Sequence, residues 1–247
     1  YEDGDGNGHN TAVGSQSQLN ATTGEFNTSV GSLSMGVGVT TGDDNTALGY
    51  TAGKNITSGN QNILIGSYCG DAITTGSKNT AIGVYALTNE DSYGYNVAIG
   101  RRALATLDAG ADGYNVAVGA SAGDAMTTGI ENTLVGSSSG DALTTGSYNA
   151  TFGVASLGSA TVGSRNIAIG QNALRVNIRA DRNVAIGRAA LENLIGDGST
   201  ANQAMYNTAV GDEAGKNITT GVNNTLIGGL AGDALTTGSG SVALGYN

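Results

Sequence analysis

The pentad Asn-x-x-x-Gly recurs thirteen times, at Asn10, Asn27, Asn45, Asn62, Asn79, Asn96, Asn115, Asn132, Asn149, Asn166, Asn183, Asn207 and Asn224, and a fourteenth copy has Ser241 at its head. Ten of the thirteen spacings are 17 residues and the others are 18, 19 and 24. A unit this short cannot enclose a core, so it becomes stable only by stacking on its neighbours. The repeat predicts an all-β fold, a parallel β-solenoid or β-roll of about 14 coils with a 17-residue period. Residues 10–247 then form one solenoid domain, and residues 1–9 are an acidic, Gly-rich leader. The chain opens on Tyr1 rather than Met, which leads us to expect a fragment of a longer protein.

With each anchor as position zero, position three is apolar in all fourteen copies and position one is β-branched in all but one, where Ala150 stands. Side chains of a strand alternate between faces, so these two columns share a face, and position three is expected inside. Position two carries Ala, Leu, Ser or Thr on the opposite face. A second apolar face needs cover, which self-association around a rotation axis supplies; the expectation is a homotrimer with position two, or the face beside it, near the axis. Position four is always Gly, where the chain turns off the strand. Only small residues stand at position seven, including Cys69, which is therefore a packed side chain rather than a nucleophile or ligand. A second strand is expected in most coils, typified by residues 142–145 before Gly146. Stacked anchor amides should hydrogen-bond from coil to coil. At position nine, Lys54 should lie over Asp71, Lys216 over Asp233, and Asp124 over Asp141.

Composition removes several classes of function. A formal charge of −10 disfavours nucleic acid, whose binding rests on Lys and Arg at phosphates. No apolar run is long enough to span a bilayer and no signal peptide is present. His9 is the sole histidine, and the glycines follow the repeat rather than a phosphate-loop or dinucleotide pattern. Asp3, Asp5 and Asn7 resemble the start of an EF-hand calcium loop, but Gly14 stands where the twelfth-position Glu belongs. No catalytic, cofactor or metal site is expected. Asn-x-Thr triplets at Asn20, Asn55 and Asn217 are what a composition rich in Asn and Thr produces by chance.

The segments Asn96–Gly100, Asn183–Gly187 and Ser241–Gly245 resemble the head repeats of trimeric autotransporter adhesins. They resemble still more closely the Asn-Thr-Ala-Ile-Gly arrays of bacteriophage tail fibres and related trimeric surface proteins. The resemblance covers residues 10–245 at fixed phase. It implies a left-handed β-roll, three copies side by side about an axis, and an extracellular setting on a virion or a bacterial surface. The adhesin repeat is usually shorter than 17 residues, which leaves handedness and coil path open.

Specificity on a uniform scaffold must come from what varies. The most variable column precedes the anchor and includes His9, Phe26, Lys78, Tyr95, Tyr114, Tyr148, Arg165, Arg182 and Tyr206. Tyr and Arg anchor binding surfaces, so Tyr95, Tyr114, Tyr148, Arg165, Arg182 and Tyr206 are the candidate surface for a cell-surface glycan or other host receptor. The alternative is that they are turn residues packed on the next coil or on a neighbouring chain. Insertions near residues 108–114 and between Glu192 and Tyr206 are further candidates. The function expected is a non-catalytic attachment fibre, with a bacterial adhesin head as the alternative. An ice-binding Thr face is less favoured, because Thr at positions twelve and thirteen point to opposite sides. A polysaccharide-cleaving site would need paired carboxylates, for which only residues 90–91, 108–112 and 192–197 are candidates.

Overall fold

The computed structural model describes residues 9–196 and 203–247. The protein is an all-β parallel β-solenoid with two compact units, Tyr1–Ala120 and Ser121–Asn247. Each anchor opens a three-residue strand. In the first unit these are Thr11–Val13, Thr28–Val30, Thr46–Leu48, Ile63–Ile65, Thr80–Ile82, Val97–Ile99 and Val116–Val118. The second has Thr133–Val135, Ala150–Phe152, Ile167–Ile169, Val184–Ile186, Thr208–Val210, Thr225–Ile227 and Val242–Leu244. Within each unit successive strands pair in parallel, position upon position, as in Thr80↔Val97, Ala81↔Ala98 and Ile82↔Ile99. The two longest coils keep that register, with Val97 opposite Val116 and Val184 opposite Thr208.

The anchors form the ladder that the repeat predicts. Asn166 is fully buried; its Oδ1 accepts from the Asn183 backbone N–H at 3.0 Å and the Asn183 side-chain amide at 3.1 Å. Its Nδ2 donates to Asn149 Oδ1 at 3.2 Å and across the coil to Ala180 O at 3.0 Å. Asn45 Oδ1 likewise accepts from both the backbone N–H and the side-chain amide of Asn62, and Asn62 Oδ1 accepts from the Asn79 backbone N–H. Buried amides are tolerable only when their groups are paired, and here the pairing partner is the next repeat.

Position four needs Gly for two reasons. Gly100 has φ +134°, and a Cβ there would lie 2.4 Å from Gly119 O and 2.6 Å from its carbonyl carbon. Gly100→Ala should therefore cost about 3 kcal/mol. Gly110→Ala, where a Cβ meets nothing within 4 Å, should cost only about 1 kcal/mol of backbone strain. Thermal melts of the two variants separate contact from strain.

The faces of the sheet are the reverse of the expected assignment. Position two is the interior: Leu64, Ala81, Ala98, Leu134, Ala168 and Leu226 are fully buried. Position three points out, with Leu48 44%, Phe152 60% and Ile169 42% exposed, and Ile63 and Ile167 at position one lie on the same outer face. Neither column can be the core, and position two cannot line an assembly axis. Volume explains the inversion. Opposite the strand, large side chains at positions eight and eleven, such as Leu104 with Leu107, or Ile73, already occupy the interior of the coil. Leu stands at position two in coils whose position eight is Gly: a Cβ on Gly70 would lie 2.7 Å from Leu64 Cδ2, and one on Gly232 would lie 2.8 Å from Leu226 Cδ2. In the coils of Ala98 and Ala168, position eight is instead Leu104 and Leu174, both fully buried.

Among the described residues, the second strand expected in most coils does not form. Residues 142–145 form turns and bends, and the one further strand pair among the described residues is Ala180–Asp181 with Gln203–Ala204. The position-twelve Thr still join coils, each N–H and hydroxyl donating to one carbonyl of the next coil, as Thr144 does to Thr161 O at 2.7 and 2.8 Å. Corners are left-handed at the residue before the anchor and at positions six and eight, with φ of 63° at Tyr148, 59° at Tyr85 and 49° at Leu174. Such backbone costs about 1–2 kcal/mol per non-Gly residue, and hydrogen bonds between coils hold it in place. Lys54 meets Asp71 at 3.5 Å as expected. Lys216 instead pairs with Glu213 at 3.2 Å and Glu192 at 3.9 Å, and no ion pair to Asp233 is seen among the described residues.

Candidate functional site

The column before the anchor is a line of side chains stacked on one another. In the first unit, Tyr95 and Tyr114 have ring centroids 4.8 Å apart and planes 21° from parallel. Lys78 Nζ donates to the Tyr95 hydroxyl at 2.8 Å, and that bond raises the pKa of the ammonium. His9 stacks on Phe26 at 4.8 Å. In the second unit the Arg165 guanidinium lies 5.2 Å from the Tyr148 ring centre, and Arg182 lies 5.7 Å from that of Tyr206. The in-register coils cause this, because a planar group at a corner meets the same corner one coil on. Tyr114, Tyr148 and Tyr206 remain exposed. Much of the ring-face area is committed to the stack, so the column offers solvent ring edges, hydroxyls and guanidinium groups.

Beside the arginines, Asp181 is buried and accepts from Ser164 N at 2.8 Å. Burial raises its pKa, a shift opposed by that hydrogen bond and by the charges of Arg182 and Arg165. The acidic residues near the shorter insertion are occupied structurally. Glu90 is fully buried, accepts from Tyr93 N at 3.1 Å and Ala109 N at 3.3 Å, and has its pKa raised chiefly by burial. Asp112 Oδ1 accepts from Gly94 N at 3.2 Å. These carboxylates pin the insertion to the preceding coil. Asp108, Gly110 and Ala111 stand exposed beyond it.

The remaining candidates resolve into scaffold roles. Cys69 is buried, its thiol donates to Ala81 O at 3.1 Å, and burial pushes its pKa up to about 12, so it is no nucleophile at neutral pH. Burial also raises Asp141, and the nearby Asp124 charge adds to the shift. The side chains of Asn20, Asn55 and Asn217 donate to carbonyls of Val37, Asp71 and Asp233 in the following coils. Among the described residues, no group of three or more His, Cys, Asp or Glu side chains is placed to hold a metal, and no helix is long and apolar enough to cross a membrane. Asp3, Asp5 and Asn7 lie outside the described residues, as does part of the insertion between Glu192 and Tyr206.

A second aromatic column went unread in the sequence. Tyr68 stacks on Tyr85 at 5.0 Å with planes 8° apart, and Tyr50 meets Tyr68 edge-on at 5.3 Å. The signal was present, because Tyr68, Tyr85 and Arg102 all stand six residues after their anchors. Tyr85 and Arg102 also border a cleft of about 160 Å³ between the Asn79 and Asn96 coils, together with Thr88, Asn89, Ala105 and Thr106. No family model matches this chain, and no curated protein matches it.

Proposed function

We propose that this chain is a non-catalytic segment of an attachment fibre, of the bacteriophage tail-fibre or bacterial surface-adhesin kind, displayed outside the cell or on a virion. Three copies pack side by side through the outer sheet face, and each presents its stacked corner column to a cell-surface glycan or another surface receptor. The observation that carries this reading is the uncovered apolar face. In both units, positions one and three hold Val, Ile, Leu and Thr with one Phe and one Ala, and carry no charge. Contiguous apolar surface of this kind marks an interface, and a face repeated from coil to coil suits another copy of itself. The net charge of −10 sets nucleic acid aside as a partner.

The stacked column supports attachment because it is where neighbouring coils differ. Each contact would be weak alone, and three copies per fibre raise avidity by linkage. The test replaces Tyr148, Arg165 and Arg182 together by Asn, a residue that accepts the left-handed φ of 63°, 59° and 61° found there. Attachment to cells should fall roughly tenfold with the melting temperature nearly unchanged. Undiminished attachment would make the column scaffold and the segment a spacer.

A further inference from the structure

We infer that the cleft between the Asn79 and Asn96 coils is a binding site for one sugar ring, separate from the corner column. Tyr85 is 40% exposed and uses one ring face against Tyr68 in the preceding coil. The cleft lies towards the following coil, on the side of the ring that this stack leaves open, and its far wall is Arg102 and Thr106. It therefore differs from the corner column, where Tyr95 has the Lys78 ammonium on one side and Tyr114 on the other.

The lining suits a pyranose. The apolar C–H face of a sugar packs on an aromatic face, and its hydroxyls need donors and acceptors around the rim. Asn89 is exposed, no hydrogen bond of its side chain is seen among the described residues, and its amide supplies both kinds of group. At about 160 Å³ the cleft has room for one ring and not for an enclosed oligosaccharide, so the occupant is a terminal or side-branch sugar.

The corner flanking the cleft is rigid enough to hold it. Tyr85 and Arg102 have φ of 59° and 60°, fixed by backbone bonds from Tyr85 N to Ser67 O at 3.1 Å and from Arg102 N to Val84 O at 3.0 Å. The two side chains are thus set one coil apart by the register of the stack rather than by a mobile loop.

The choice of a sugar rests on the attachment reading, but the test does not. The whole chain is titrated with the methyl glycosides of glucose, galactose and mannose, with N-acetylglucosamine and with glucuronic acid, following the Tyr85 ring and Asn89 side-chain amide by NMR. At least one of these sugars should shift both signals with a Kd of roughly millimolar. Tyr85→Asn, which keeps the left-handed backbone, and Asn89→Ala should each weaken binding roughly tenfold. The Tyr148, Arg165 and Arg182 triple variant should bind the sugar like the parent. No shift with any of these sugars up to about 50 mM, or equal binding by Tyr85→Asn in a protein that melts like the parent, overturns the inference. Loss of cell attachment in the triple variant with sugar binding intact leaves both proposals standing as separate sites. Sugar binding without any attachment defect in the triple variant removes the corner column alone.

Discussion

Ala98→Asp is expected to break the stack around the Asn96 coil, whereas Ile99→Asp, one residue on, should leave the stack standing and abolish assembly. Ala98 is fully buried among Ala103, Leu104 and Leu107, which are buried as well. A carboxylate there has no counter-charge, and an uncompensated buried charge costs about 3–5 kcal/mol. Domains are stable by only about 5–15 kcal/mol in total, so the melting temperature should drop on the order of 10 °C. Ile99 lies on the outer face, where a carboxylate in a separate chain stays hydrated. In three copies packed through that face it would be desolvated, and the assembly should revert to single chains. Circular dichroism and mass photometry at micromolar concentration read the two effects. A parent that is monomeric under those conditions defeats the trimer. Unfolding by Ile99→Asp together with tolerance of Ala98→Asp would reverse the assignment of faces.

That pair of substitutions also marks where the sequence misleads. The period, the parallel register, the Asn ladder, the Gly turn and the small column around Cys69 are legible because each depends on one residue type recurring at one phase. Which face is inside depends on volume, and volume is shared among columns. Fourteen apolar residues at position three look like a core, but a 17-residue coil that already encloses Leu174 or Ile73 has no room for them. Hydropathy ranks the columns wrongly for burial in the single chain. The missing second strand has a related cause. Thr and Gly at positions twelve to fourteen fit a strand, but the left-handed corners leave too little extended chain for a ladder, and single bonds such as Thr57 N to Thr74 O do the joining.

The candidate site was legible in part for the same reason. Tabulating the column before the anchor picks out Tyr95, Tyr114, Tyr148, Arg165, Arg182 and Tyr206. That they stack on each other follows only once the coils are known to lie in register, since 17 residues of sequence separation become about 5 Å of space. Stacking turns flat faces into edges and so changes what the column can recognise. The cleft beside Tyr85 stayed unread because it lies between two coils, where no single column shows it.

Asn166 offers the second large effect, because one side chain serves three coils. Asn166→Leu removes the acceptor used by the Asn183 N–H and the donor used by Asn149 Oδ1 and Ala180 O. Ala180 O keeps a bond from Asn177 Nδ2, and Asn149 Oδ1 keeps one from the backbone of residue 166, so the Asn183 N–H is the group left stranded. The stranded group and the misfit of a branched side chain together should cost about 3 kcal/mol. Asn166→Asp is the sharper variant, since the two are nearly the same shape. Its carboxylate still accepts from Asn183, but it sets an oxygen against Asn149 Oδ1 at 3.2 Å and Ala180 O at 3.0 Å, where a donor stood. Protonation restores that donor, so the folded state must hold this carboxyl at a raised pKa. The stability it contributes is fully present below the unfolded pKa of about 3.9 and is lost as pH rises through the folded value. The melting temperature of Asn166→Asp should therefore trail the parent by several degrees at pH 7, and the gap should narrow towards pH 4. Parallel pH profiles for the two proteins would mean that the ladder tolerates a missing donor, and that the anchors hold the coils through backbone geometry alone.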